Sequence, residues 1–118
     1  MGHNHARIYE LLDGVRLEGV YDVDCDRAEA VAAEFGGKAV SSLEALSDCC
    51  EAVSVTVPTN RHAAIGGQLL RQGTHILVEQ PIASSEEEAE KLVQLAATTG
   101  KVLQVGHVER FNPVLRHL

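Results

Sequence analysis

Short polar groupings stand directly after the apolar runs of this chain, and their side chains suit ligand binding. Asp22 closes "VRLEGVYD"; Pro58, Thr59, Asn60 and His62 follow "AVSVTV"; Glu79-Gln80-Pro81 follows "HILV". His107 and Arg110 stand in "GHVERFNP", after "KVLQV". Carboxylates accept hydrogen bonds from hydroxyls, an amide both donates and accepts, and an imidazole can do either. What is lacking narrows the chemistry further. The sequence has no nucleophile–base pair, no phosphate loop with lysine and no metal-ligand spacing, so nucleophilic hydrolysis and metal catalysis have no support. A response-regulator-like module would need an acidic cluster at its strand ends, and only Asp22 and Glu79 lie there. Taken singly, these residues also have plain readings: Asp22 as a turn or capping residue beside Asp24 and Asp26, His62 as a first-turn residue satisfied by backbone or water.

The elements that must position these groups alternate in type. "NHARIYELL" reads as a helix with Ala6, Ile8 or Tyr9, and Leu12 inward, and "VRLEGVYD" as a strand. "DRAEAVAAEF" reads as a helix with Asp26 as N-cap and Ala28, Val31, Ala32 and Phe35 on one face, stopped by Gly36-Gly37. "KAV" is a short strand, and "SSLEAL" a short helix with Ser41 and Glu44 in capping-box spacing. "AVSVTV" is a strand, and "NRHAAIGGQLLRQG" a helix despite Gly66-Gly67, with Gly73 as its cap. "HILVE" is the next strand. "SSEEEAEKLVQLAATTG" is a helix boxed by Ser85 and Glu88, with Ala89, Leu92, Val93 and Ala96 inward. "KVLQV" closes the series as a strand, and "NPVLRHL" begins a helix with Pro113 in its first turn. Strands separated by such helices imply right-handed βαβ units and a parallel sheet, which binds ligands at the carboxyl ends of its strands.

Composition agrees with that architecture. The chain has 118 residues, enough for one core. Aromatics are 3% and Trp is absent, so the core must be built from Val, Leu, Ile and Ala, as in parallel sheets covered by helices. A net charge of −7 without a basic run argues against nucleic acid as a partner. No apolar stretch approaches the roughly 20 residues of a membrane span, so no membrane partner is expected. Three cysteines, Cys25, Cys49 and Cys50, without metal spacing and without a signal peptide read as a reduced, cytoplasmic protein.

Gly2 gives Asp22 a second reading. A Rossmann fingerprint is G-x-G-x-x-G at a strand-to-helix turn, with an acidic residue about 20 positions farther on that accepts from the adenine ribose. Gly2 stands 20 positions before Asp22, immediately before a helix, as the third glycine of such a turn would.

Taken in order, "MGHNHARIY", "GVYDVDCDRAEAVAAEFG", "VSVTVPTNRH", "HILVEQPIASSEEEAEKL" and "LQVGHVERFNP" resemble the Gfo/Idh/MocA oxidoreductases over essentially the whole chain. The resemblance implies an α/β fold, a Rossmann-like doubly wound parallel sheet, that binds NAD(P) and serves hydride transfer to or from sugars, cyclitols or nucleotide sugars. It implies cofactor contacts from Gly2, Asp22, Pro58, Thr59, Asn60, His62, Glu79 and Pro81, with His107 and Arg110 on the substrate side. No arginine adjoins Asp22, which favours NAD over NADP.

The chain departs from the family pattern in ways that carry further expectations. Gln80 occupies the place of the family's motif lysine, and an amide cannot act as an acid or base near neutral pH. The first strand and the first two glycines are lacking, so residues 1–118 read as an incomplete dinucleotide-binding domain without the C-terminal substrate domain. Such a fragment is expected to lack turnover, and its unpaired strand edges invite homo-oligomers. A start at an internal Met codon or a cut chain would account for the gap. The competing expectation, drawn from Gln80, is a non-catalytic relative that binds nucleotide or serves as an assembly module.

Overall fold

The structure, a computed structural model, describes residues 2–106. In chain order it runs α1 (Gly2–Leu11), β1 (Gly19–Val20), α2 (Cys25–Phe35), β2 (Lys38–Ala39), α3 (Leu43–Cys49) and β3 (Ala52–Val55). A single 3-10 turn (Thr59–Arg61) leads into α4 (His62–Arg71), followed by β4 (His75–Glu79), α5 (Glu86–Thr99) and β5 (Leu103–Gly106). The expected alternation of helix and strand is therefore present. The helix expected over "NPVLRHL" falls outside the described residues.

Every strand pairing is parallel. β3, β4 and β5 form one sheet in that order, with Val55 opposite Val78 and Glu79 opposite Gly106. β1 and β2 form a separate pair, Gly19 opposite Lys38. Among the described residues β1 and β3 each have a strand neighbour on one side only. Between them opens a cleft of about 50 Å³ lined by Tyr21, Leu46, Val53, Val55 and Val57. That is where the doubly wound order places its first strand.

The core lies beneath the three-stranded sheet. Val55, Ile76 and Val78 from the strands meet Ile65, Leu69 and Leu70 of α4 and Leu92 and Ala96 of α5. Helices that cross between parallel strands must return over the sheet, so their apolar stripes close on one strand face. Gly66 makes that closure tight: a Cβ there would lie 3.1 Å from Ile76 Cδ1 and 3.4 Å from Leu92 Cδ2. Gly66 therefore sits in α4 because the helix packs close there, which offsets its poor helix propensity.

α1 joins the two sheets. His3 reaches Glu34 of α2 at 2.9 Å and packs edge-on against Phe35, while His5 and Tyr9 reach β3 and β4. The contact stripe is narrow. Ala6 is buried and Tyr9 half-buried, so of Ile8 or Tyr9 it is Tyr9 that turns inward, while Leu12 is 48% exposed and its inward expectation is corrected. Val93 of α5, also expected inward, is 55% exposed; the buried stripe there passes through Leu92 and Ala96.

Cap positions shift by one or two residues from expectation. Asp24, not Asp26, caps α2 and accepts from Arg27 N at 3.2 Å. Asp22 Oδ1 accepts from Asp24 N at 2.9 Å, and this local turn brings the chain into the helix earlier. Ser42, not Ser41, caps α3 by accepting from Ala45 N at 3.0 Å. Ser85 caps α5 as expected, and Glu88 reaches back to Ser84 N at 3.1 Å. Gln72 caps α4, with Gly73 one residue beyond in the left-handed region at φ 88°.

Candidate functional site

Parallel strands end together, and that gathers the polar groupings. Tyr21, at the end of β1, shares the cleft with Thr56 and Val57 at the end of β3, so Asp22 stands on the same rim. Glu79 is the last residue of β4 and pairs with Gly106, the last of β5. Gly2 places the first turn of α1 against this rim: a Cβ there would stand 3.0 Å from Thr56 Oγ1. A larger residue at this position would push the helix off the strand end.

Asp22 is half-buried. One carboxylate oxygen accepts from Asp24 N, and the other lies 4.0 Å from Arg27 Nη1. No arginine is adjacent in the chain, but the first turn of α2 brings one beside the carboxylate.

Pro58 leaves the strand end and is exposed, Thr59 is half-buried, and Asn60 is exposed in the 3-10 turn. His62 follows and is 1% exposed. Its Nδ1 lies 2.9 Å from Pro81 O and its Nε2 2.8 Å from Val57 O. Each ring nitrogen faces a backbone carbonyl, one from each of two neighbouring strand-end turns; carbonyls only accept, so the ring donates through the nitrogen that carries the proton. The side chain ties these turns together and leaves no ring nitrogen for a ligand.

Glu79 is 8% exposed, whereas Gln80 and Pro81 after it are exposed on the rim. The Gln80–Pro81 peptide is cis. Burial of Glu79 follows from strand alternation: Val78 faces the core, so Glu79 projects to the opposite face, toward α1. There His5 meets its carboxylate. Ser54 projects to the same face from β3, where Val55 takes the core side, and lies 3.1 Å from His5 Nδ1. Tyr9 meets Ser54 from one turn farther along α1.

His5, Tyr9 and Ser54 were missed in the sequence. The available signal was Ser54, a hydroxyl in the middle of an apolar strand that needs a partner once half-buried. His107 and Arg110 lie outside the described residues. Among the described residues no group of three or more His, Cys, Asp or Glu could hold a metal ion, and no helix is long and apolar enough to cross a membrane.

Comparison with known proteins agrees with this geometry. A family model described as "Oxidoreductase family, NAD-binding Rossmann fold" matches residues 1–107. The chain is 36% identical to UDP-N-acetylglucosamine 3-dehydrogenase of Acidithiobacillus ferrooxidans over 100% of its own length and 37% of that protein's. The solved structure of that enzyme superposes with a TM-score of 0.91 at 34% identity, covering 98% of this chain and 38% of the other. GenD2 from gentamicin A biosynthesis, solved with NAD, gives 0.86 at 30% identity over 90% of this chain and 31% of its own. KijD10, a 3-ketoreductase from Actinomadura kijaniata solved with NADP, gives 0.87 at 28% identity over 95% of this chain and 35% of its own. The chain therefore spans little more than a third of the relatives it matches.

Proposed function

The chain belongs to the Gfo/Idh/MocA oxidoreductase family, and on that premise we propose that residues 1–118 are the cofactor-binding part of a nicotinamide-dependent dehydrogenase or reductase. The whole protein, in this reading, moves hydride between the cofactor and a sugar, cyclitol or nucleotide sugar. When bound, the nicotinamide supplies the hydride chemistry; the protein supplies binding, orientation and electrostatics.

The observation that carries the reading is the common rim: Gly2 against Thr56, Asp22 beyond β1, and Glu79 with Gln80 at the end of β4. The residues present fit a dinucleotide. Without a side chain, Gly2 lets the start of α1 sit close against Thr56, and a helix N-terminus favours phosphate. Asp22 offers a carboxylate oxygen to ribose hydroxyls and repels a 2′-phosphate, which supports NAD as the preferred cofactor even with Arg27 nearby. Pro58, Thr59, Asn60 and Pro81 form the rim over which the cofactor would pass, and His62 holds that rim in place from below. Calorimetric titration of the full product of the native reading frame with NADH and with NADPH tests the reading, and binding of neither overturns it.

Gln80 favours a second reading, a relative that binds nucleotide without turnover, since its amide cannot move a proton. Replacing Gln80→Lys in the full product of the native reading frame separates the two. A gain in hydride transfer shows a lost proton-handling group, and strong activity with Gln80 in place removes the non-catalytic reading. Other properties follow from the same surfaces. The one-sided edges of β1 and β3 support self-association, measurable by sedimentation, and the free thiols of Cys25, Cys49 and Cys50 support a reducing, cytoplasmic location.

A further inference from the structure

Tyr9, Ser54, His5 and Glu79 form one hydrogen-bonded row across α1, β3 and β4. With Glu79 ionised and the His5 ring neutral, the row has one consistent direction. An ionised carboxylate only accepts, so His5 Nε2 carries a proton and donates to Glu79. A neutral ring protonated there leaves Nδ1 as an acceptor, which takes the Ser54 hydroxyl proton at 3.1 Å. Ser54 Oγ in turn accepts from the Tyr9 phenol. Every donor in this row meets one acceptor, and the His5 and Glu79 side chains are only 19% and 11% exposed.

The row also limits where the carboxylate can go. His5 Nε2 holds Oε1, while Oε2 lies against β5, 3.3 Å from where a Cβ on Gly106 would stand. A carboxylate held on one oxygen, with its other oxygen over the bare Cα of Gly106, presents a defined lone-pair direction, the preorganisation that a ligand-binding group needs. His3, two residues earlier, is engaged with Glu34 of α2. Among the described residues the polar groups bonded to the His5 ring are therefore Ser54 and Glu79, with the Tyr9 ring edge-on at 6.3 Å.

We propose that His5 is a positioning residue: its Nε2–H tautomer, selected by Ser54 and Tyr9, orients the Glu79 carboxylate toward a hydrogen-bond donor of the dinucleotide bound at the β4–β5 strand ends. The assignment rests on the cofactor-binding reading above, and its test has one arm that needs no cofactor.

That arm is two-bond ¹H–¹⁵N spectroscopy of the 118-residue chain labelled at histidine. His5 is expected as a single Nε2–H tautomer at neutral pH, with Ser54→Ala releasing the tautomer and Glu79→Gln shifting the Nε2 resonance. A freely exchanging His5 in the wild-type chain overturns the proposal. The second arm is NADH binding by the full product of the native reading frame, wild type and variants, followed by its fluorescence. His5→Gln, whose amide still reaches Glu79, is expected to keep Kd within about threefold, while His5→Asn and His5→Leu raise it about tenfold or more. Should His5→Leu fail to fold, the Gln and Asn pair still decides, because both amides are polar and only the longer one spans the distance. Equal Kd values for the Gln and Asn variants overturn the positioning role. If the wild-type full product binds no NADH while the spectra show the fixed tautomer, the cofactor reading fails and the ordering of Glu79 by His5 stands.

Discussion

Gly106 stands beside Glu79 with nothing on its Cα, and a methyl group there would come within 3.3 Å of Glu79 Oε2 and 3.4 Å of Cδ. The glycine leaves the space into which the carboxylate settles. Gly106→Ala is therefore expected to turn the carboxylate away from its resting place and weaken NADH binding by about three- to tenfold. Stability should change by less than about 1 kcal/mol, because a strand end tolerates alanine better than glycine. Calorimetry and a thermal melt on the same variant separate the two effects; unchanged affinity would show that the position of Glu79 does not matter to the ligand.

Adjacent glycines of α4 should respond with opposite sign. Gly66→Ala gains about 1 kcal/mol of helix propensity but forces a methyl against Ile76 and Leu92, and such overpacking costs about 1–3 kcal/mol. A net loss near 1 kcal/mol is expected. At Gly67 the nearest atoms are Arg71 Nη1 at 3.4 Å and Leu95 Cδ2 at 3.6 Å, ordinary contacts with side chains that can yield. Gly67→Ala should stabilise by up to about 1 kcal/mol. Urea denaturation of both variants checks the pair, and equal shifts would contradict the packing argument.

Asp22→Asn removes a negative charge and frees Arg27 from its carboxylate neighbour, now 4.0 Å away. NADH affinity is expected to fall about tenfold, and NADPH affinity to rise relative to it, since the released guanidinium can meet a 2′-phosphate. The ratio of the two dissociation constants is the readout. A fall in both without a change in ratio would assign Asp22 to shaping the loop through Asp24 alone.

Cys50 should make the fold sensitive to alkali. Burial of its thiol, then the hydrogen bond and charge of neighbouring Cys49 and the charge of Glu18, push it up to about 12. The folded chain thus keeps a proton that the unfolded chain gives up at the ordinary thiol value. Stability from this group is fully present below that value and declines as pH rises toward 12. Denaturation midpoints at pH 8 and at pH 10.5 should differ more for the wild-type chain than for Cys50→Ala. At pH 8 iodoacetamide should label exposed Cys25 well before Cys50.

Much of the architecture was legible because it rests on local signals. "HILVE" is a strand with the expected bounds, and Ser85 with Glu88 marks the start of α5, since apolar periodicity and capping act over a few residues. Family membership was equally legible, because motifs such as "VPTNRH" and "VEQP" are strings in the chain. The cap shifts at Asp24 and Ser42 show the limit: where several Asp or Ser stand together, the backbone turn chooses among them.

By itself the sequence determined the order of strands and helices, and that Asp22 and Asn60 follow strands while Glu79 ends one. Tertiary structure alone decided what each side chain touches. Arg27 came beside Asp22 only through the turn into α2, and the ring of His62 came to lie between carbonyls of two separate turns. Ser54 and Glu79 lie on one sheet face because the parallel register sets β3 against β4, and His5 reaches both because α1 crosses that face. A hydrogen bond needs its partners within a few ångströms, and residues separated by 74 positions, as His5 and Glu79 are, meet only after the whole chain has folded.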